Sequence, residues 1–132
     1  MKIEVPISIG ELFDKFSILE IKKDKIQDEK KLELINEEIS LLSKSIIDVI
    51  KNNKEHESSI TSLMKQLKKI NEELWDIENA KRECEKKQSF DSNFIKLARL
   101  VYLKNDERAE LKKQINMKCG SKIVEVKSYN NY

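Results

Sequence analysis

Two series of apolar residues with alternating spacings of three and four constrain this chain more than any other feature. They are Leu32, Ile35, Ile39, Leu42, Ile46 and Val49, followed by Ile60, Leu63, Leu67, Ile70, Leu74 and Ile77. Such spacing places each series on one side of an α-helix and is typical of coiled-coil seams. The polar stretch NNKEHESS between the two series indicates a short connection. We therefore predict an antiparallel, coiled-coil-like helical hairpin made of residues 29–52 and 57–88.

One helix is predicted before this hairpin and one or two after it. Ser8 and Glu11 have the S-x-x-E spacing of a capping box, so the first helix is expected over residues 9–27. Residues 92–118 are also periodic. They form a single helix, or two helices if Asn105 caps a separate one. The pattern as a whole predicts an all-α helical bundle that contains the hairpin.

Short alternating segments near both ends of the chain predict strands. In residues 2–7, Ile3 and Val5 alternate with polar residues, which is the period of a half-buried strand. Residues 122–128 are rich in β-branched side chains and follow the helix-stop signal Gly120. We expect the two strands to pair as a small two-stranded ribbon. An isolated ribbon is marginally stable, so it would rest on the helices or be extended by a second copy of the chain.

Length and charge limit the classes of protein that fit this chain. Its 132 residues suit a single domain of residues 1–132, and its 38% charged residues with only two glycines match long helices. The 26 basic residues nearly balance the 24 acidic ones, which disfavours nucleic acid or a membrane as a partner. The chain also has no run of about 18 apolar residues that could span a bilayer.

Residues that could support metal or nucleophilic chemistry are few. Cys84, Cys119 and His56 lack the spacing of metal ligands, so we expect no metal and no cofactor. The two cysteines are interpreted as free thiols in a reducing cytoplasm. The sequence has no glycine-rich phosphate loop, no Ser-His-Asp set and no Cys-His pair. Catalytic residues therefore stay unassigned, and the question of enzymatic activity stays open.

Polar residues interrupt the apolar stripes of three helices, and they mark where a site would be. Burying a lone charge costs several kcal/mol, so these groups are expected to share one cluster in which Glu20 and Glu78 meet Arg82 and Arg108. The cluster is either a network of ion pairs between helices or a pocket for a carboxylate or phosphate ligand, since guanidinium groups suit both. The candidate residues are Glu20, Asn71, Glu78, Arg82, Lys104, Arg108 and Lys112.

Four blocks of this sequence resemble a family of small uncharacterised bacterial proteins known as a domain of unknown function. The blocks are VPISIGELFDKFSILEIK, ELWDIE, FIKLARLVYLKNDERAELKKQIN and GSKIVEVKSY. They occur in order and run almost from end to end of the chain, which implies one intact domain. The resemblance implies no reaction, substrate or cofactor.

Two functions fit these observations. The first is a non-enzymatic binding or assembly protein that acts as a homodimer, because a second copy would cover both the exposed helical seams and the open edges of the ribbon. The alternative is a small helical enzyme or ligand-binding domain. It would use Arg82, Arg108 and Lys112 to hold an anionic metabolite, with Glu20 or Glu78 as acid-base partner.

Overall fold

Four α-helices make up the regular structure in the computed structural model, which describes all 132 residues. They are α1 (Ile9–Lys25), α2 (Glu29–Lys51), α3 (Glu57–Lys87) and α4 (Ser92–Cys119), and a short 3-10 turn (Lys54–His56) joins α2 to α3. The fold is all-helical, as the periodicity predicts. Residues 92–118 belong to one continuous helix, because the side chain of Asn105 accepts a bond from Arg108 and caps nothing.

Polar side chains fix where the helices begin. The hydroxyl of Ser8 accepts a hydrogen bond from the backbone N–H of Glu11 at 3.1 Å, and Asp28 and Asp91 cap α2 and α4 in the same way. Each cap satisfies a backbone donor that has no partner within its helix. Helix α4 ends at Gly120, whose φ of 63° lies in the left-handed region that glycine adopts without strain.

The apolar core lies where the first halves of α1 and α3 meet the second halves of α2 and α4. Helix α3 packs most closely against α4, and α2 packs more closely against α1 than against α3. The apolar residues of α2 and α3 therefore meet in a core to which all four helices contribute. The coiled-coil character of the hairpin stays a prediction. The core residues are Leu12, Phe13, Ile46, Ile60, Leu63, Leu67, Leu111, Ile115 and Cys119.

The predicted two-stranded ribbon is wrong. Residues 2–7 and 122–128 contain no strand, and residues 1–7 and 122–132 form no backbone–backbone hydrogen bond. Two short strands bury too little apolar surface to be stable alone, and Pro6 removes one donor. We call residues 1–7 the N-terminal segment and residues 122–132 the C-terminal segment. The end of the N-terminal segment lies near the start of the C-terminal segment, since the N–H of Ile9 donates to the hydroxyl of Ser121 at 3.1 Å.

The C-terminal segment runs back along the outside of α4. Its Glu125 lies 2.8 Å from Nζ of Lys112, and its Lys127 lies 2.5 Å from a carboxylate oxygen of Asp106. The ring of Tyr132 packs edge-on against Tyr102, with centroids 5.4 Å apart. Side chains and not backbone pairing therefore hold this segment in place.

Candidate functional site

A buried carboxylate, Asp14 on α1, is the centre of a polar cluster between α1, α3 and α4. Only 1% of Asp14 is exposed. Its Oδ1 accepts from Nε of Arg108 at 2.9 Å, and its Oδ2 accepts from Nη2 of the same arginine at 2.5 Å. Two parallel bonds of this kind form the strongest geometry for an arginine–carboxylate pair. We define the polar cluster as Glu11, Asp14, Ser17, Asn71, Arg108, Lys112 and Glu125.

Asn71 brings α3 into the cluster. Its side-chain amide donates to Oδ1 of Asp14 at 2.9 Å and to the hydroxyl of Ser17 at 2.7 Å. That hydroxyl in turn donates to the backbone carbonyl of Asp14 at 2.8 Å. Asp14, Ser17 and Asn71 are all buried, and unpaired polar groups at such positions would be costly. The hydrogen bonds therefore fix α3 against α1 at this point.

Lys112 extends the cluster toward the C-terminal segment. The side chain is buried, and its Nζ lies 2.7 Å from Glu11, 2.8 Å from Glu125 and 3.9 Å from Asp14. Burial lowers the pKa of Lys112 and is the largest single influence, but the hydrogen bonds with Glu11 and Glu125 and the nearby charges together raise this pKa above its ordinary value. The hydrogen bond with Asp14 likewise raises the pKa of Arg108. Both cations therefore stay charged at neutral pH.

A close approach of α1 to α4 sets the geometry of the cluster. The backbone N–H of Gly10 donates to the side chain of Asn116 at 2.6 Å. A Cβ atom at position 10 would lie 2.5 Å from the backbone carbonyl oxygen of Lys112, so a larger residue does not fit. One helical turn further along α1, Asp14 then faces Arg108, which lies one turn back along α4. Glycine at position 10 is thus what lets the two charges meet.

The structure brings three of the seven predicted site residues into the polar cluster, namely Asn71, Arg108 and Lys112. Lys104 lies one turn before Arg108 on α4 and pairs with Glu73 of α3 at 2.8 Å and with Glu107 at 3.3 Å. It links α3 to α4 but is outside the cluster.

The predicted pairing of Glu20 and Glu78 with the two arginines does not occur. Arg108 pairs with Asp14, because the close crossing at Gly10 brings that earlier turn of α1 opposite it. Glu20 is half-buried and has no ion pair, and Glu78 is exposed and contacts Lys81 at 3.4 Å. Arg82 is exposed and forms no ion pair.

Sequence reasoning missed four members of the cluster. Asp14 and Ser17 lie on a second face of α1 with Gly10 and Ile21, and this face is buried because α1 contacts all three other helices. The small residues at positions 10 and 17 were a signal of close packing on that side. The S-x-x-E spacing predicts Glu11 only as part of a capping box, whereas its side chain pairs with Lys112. The fourth, Glu125, was assigned to a strand.

An open cleft of about 370 Å³ lies beside the polar cluster, between α1, α3 and α4. Its wall contains four apolar residues and five polar ones, and four of the polar residues were predicted from the sequence. The apolar residues are Ile18, Ile21, Leu74 and Trp75, and the predicted polar residues are Asn71, Glu78, Arg82 and Arg108. The charged groups of the cluster are thus paired with one another, and the cleft adjoins the cluster at Asn71 and Arg108.

The arrangement as a whole defines a class: an all-α protein in which buried ion pairs and hydrogen bonds join three helices next to a solvent-exposed cleft. The chain belongs to the family of unknown function DUF6165, which matches residues 1–132. Searches of curated proteins and of solved structures gave no match. No helix has both the length and the apolar character needed to cross a membrane. No three His, Cys, Asp or Glu side chains lie together in a way that could hold a metal ion.

Proposed function

We propose that this protein is a non-enzymatic binding or assembly protein that acts as a homodimer. One observation carries the proposal: nine of the sixteen exposed large apolar side chains lie in the N- and C-terminal segments. These segments also leave their backbone N–H and C=O groups without backbone partners. They are Met1, Ile3, Val5 and Ile7 at one end and Ile123, Val124, Val126, Tyr129 and Tyr132 at the other.

A second copy of the chain suits these segments for two reasons. Extended segments with exposed β-branched side chains can add to each other as strands, so that backbone hydrogen bonds and apolar burial form together. A two-fold axis lets the same surface of each copy cover the other. Ile9 and Ser121, which are hydrogen-bonded to each other, lie just after the N-terminal segment and just before the C-terminal segment, so the two segments can contribute to one interface.

The pairing of the buried charges supports a structural role for them and not a catalytic one. Asp14, Arg108 and Lys112 are paired with one another or with neighbouring carboxylates, which leaves no free acid or base in the cluster for catalysis. The free thiols of Cys84 and Cys119 are compatible with a reducing bacterial cytoplasm, which we propose as the site of action. In this proposal the hairpin of α2 and α3 is a structural arm.

Sedimentation equilibrium at micromolar concentration tests the dimer. We expect a mass about twice the 15.6 kDa of the chain. The double variant Val5→Asp, Val126→Asp places charges in both terminal segments and should sediment as a monomer with unchanged helical circular dichroism. Leu34→Asp is a matched control, since Leu34 is a comparably exposed apolar residue on α2. A wild-type mass equal to that of one chain, or equal dissociation in the control, would refute the proposal.

A further inference from the structure

The open cleft beside the polar cluster has the features of a small-molecule site. We infer that it binds a singly charged organic carboxylate with an apolar body, with the carboxylate directed at Arg82 and Arg108. This site is separate from the terminal segments, so the inference does not depend on the proposed dimer.

Hydrogen-bond donors without acceptors are the first support. A guanidinium group has five N–H donors. Arg108 uses three of them, two toward Asp14 and one toward Asn105 at 3.3 Å, and two are left. Arg82 makes no hydrogen bond or ion pair to the protein. Both arginines line the same cleft, and their planar donors match the geometry of a carboxylate.

The balance of charge around the cleft selects the type of anion. Asp14 neutralises Arg108, and the carboxylate of Glu78 is paired with Lys81 at 3.4 Å. Arg82 is therefore the one cation of the cleft without a counter-charge. A single positive charge suits a monovalent carboxylate, whereas a phosphate group carries about two negative charges near neutral pH.

The apolar residues that line the cleft select the rest of the ligand. Ile18, Ile21, Leu74 and Trp75 present apolar surface at the cleft, whose volume of about 370 Å³ is within the range of small-molecule sites. Ile21 is already buried, but covering the exposed apolar surface of Ile18, Leu74 and Trp75 would contribute about 25 cal/mol for each Å² removed from water. The cleft therefore combines apolar residues of α1 and α3 with two arginines, which suits a short-chain or aryl carboxylate.

Fluorescence of Trp75, the only tryptophan of the chain, reports on this site directly. Isocaproate and hydrocinnamate are the probes, each with its neutral amide as a matched compound. We expect a saturable change in emission with the carboxylates and about tenfold weaker binding of the amides, since the amides lack the charge that Arg82 and Arg108 recognise. Inorganic phosphate should produce no saturable change.

Arginine variants locate the binding. Arg82→Gln should weaken binding of the carboxylates about tenfold and leave the folded state intact, because Arg82 is exposed and unpaired. Arg99→Gln is the matched control, since Arg99 is the remaining arginine, is exposed and does not line the cleft. Arg108→Lys is a second variant. It keeps the positive charge toward Asp14 but loses the planar pair of N–H donors of arginine. Circular dichroism checks its fold.

Four results would overturn the inference. They are an unchanged wild-type emission with both carboxylates, equal affinity for acid and amide, an equal loss in Arg99→Gln, and tighter binding of phosphate. The mass measured by sedimentation tests the dimer independently, so failure of one proposal leaves the other standing.

Discussion

The two faces of α4 carry the same kind of ion pair in opposite surroundings. On the inner face Arg108 pairs with Asp14, whose side chain is 1% exposed. On the outer face Asp106 binds Lys127 and the hydroxyl of Tyr132, and its side chain is 38% exposed. Water can replace the partners of Asp106 but cannot reach Asp14. We therefore expect burial, more than the number of hydrogen bonds, to decide how much stability is lost when one partner of such a pair is removed.

The largest expected effect comes from breaking the inner pair. Asp14→Ala leaves Arg108 and Lys112 without their central carboxylate and removes an acceptor from Asn71. Losing one partner of a buried ion pair costs about 3–5 kcal/mol, which is a large share of the stability of a small domain. Urea denaturation followed by circular dichroism measures the loss.

Asp106→Ala is the control on the outer face of the same helix. It removes one ion pair, with Lys127, and one hydrogen bond, from the hydroxyl of Tyr132, and both partners belong to the exposed C-terminal segment. We expect its urea midpoint to stay close to that of the wild type. Similar losses in the two variants would show that burial does not separate the two faces.

The same contrast explains what the sequence could predict. Helix positions follow from local spacing, so the seams and the inward position of Arg108 could be inferred from residues three and four apart. The partner of Arg108 depends on how α1 crosses α4, and this is decided by the absence of a side chain at Gly10. The alternation of apolar and polar residues near the two ends of the chain has the period of a β-strand. Pairing of two strands also requires buried apolar surface, which two such short segments do not supply.

A smaller but still substantial effect is expected at the crossing itself. Gly10→Ala would raise intrinsic helix propensity, yet its methyl group would meet the backbone oxygen of Lys112 at 2.5 Å. Backbone cannot rotate away as a side chain can, so we expect a net loss of about 1–3 kcal/mol in urea denaturation.

Gly120→Ala is the matched glycine variant. Nothing lies within 4 Å of its added Cβ, and only the left-handed backbone conformation is unfavourable. This conformation costs about 1–2 kcal/mol in a residue with a side chain. Only Gly10→Ala disturbs the close approach of α1 to α4. The raised pKa of Lys112 should therefore fall in Gly10→Ala and not in Gly120→Ala. An equal pKa in both variants would contradict the role given to Gly10.

The smallest expected effects are changes with pH, which concern the outer face in acid and both faces in alkali. The pKa of Lys112 is raised above 10.5, so its stabilising contribution is complete below that pH and is lost as pH rises through the folded-state pKa. The pKa of Asp106 is lowered below 3.8, first by its hydrogen bond with Lys127 and then by that with Tyr132. The contribution of Asp106 is therefore present above pH 3.8 and is lost as pH falls through the lowered pKa.

Acid should thus first release the C-terminal segment. In alkali, the loss of the Lys112 charge at the inner face is accompanied by ionisation of Tyr132, whose pKa is raised from 10.0 by its hydrogen bond to Asp106. The urea midpoint of the wild type should decrease as the pH is raised above 10.5. The decrease should be smaller in Lys112→Met, which has no charge at position 112 to lose. In acid, the NMR signals of Tyr132 should move before the helical signal falls, and Asp106→Asn should show those shifted signals at neutral pH. If Tyr132 and the helices respond to acid together, the outer contacts are coupled to the core, and the distinction between the two faces of α4 fails.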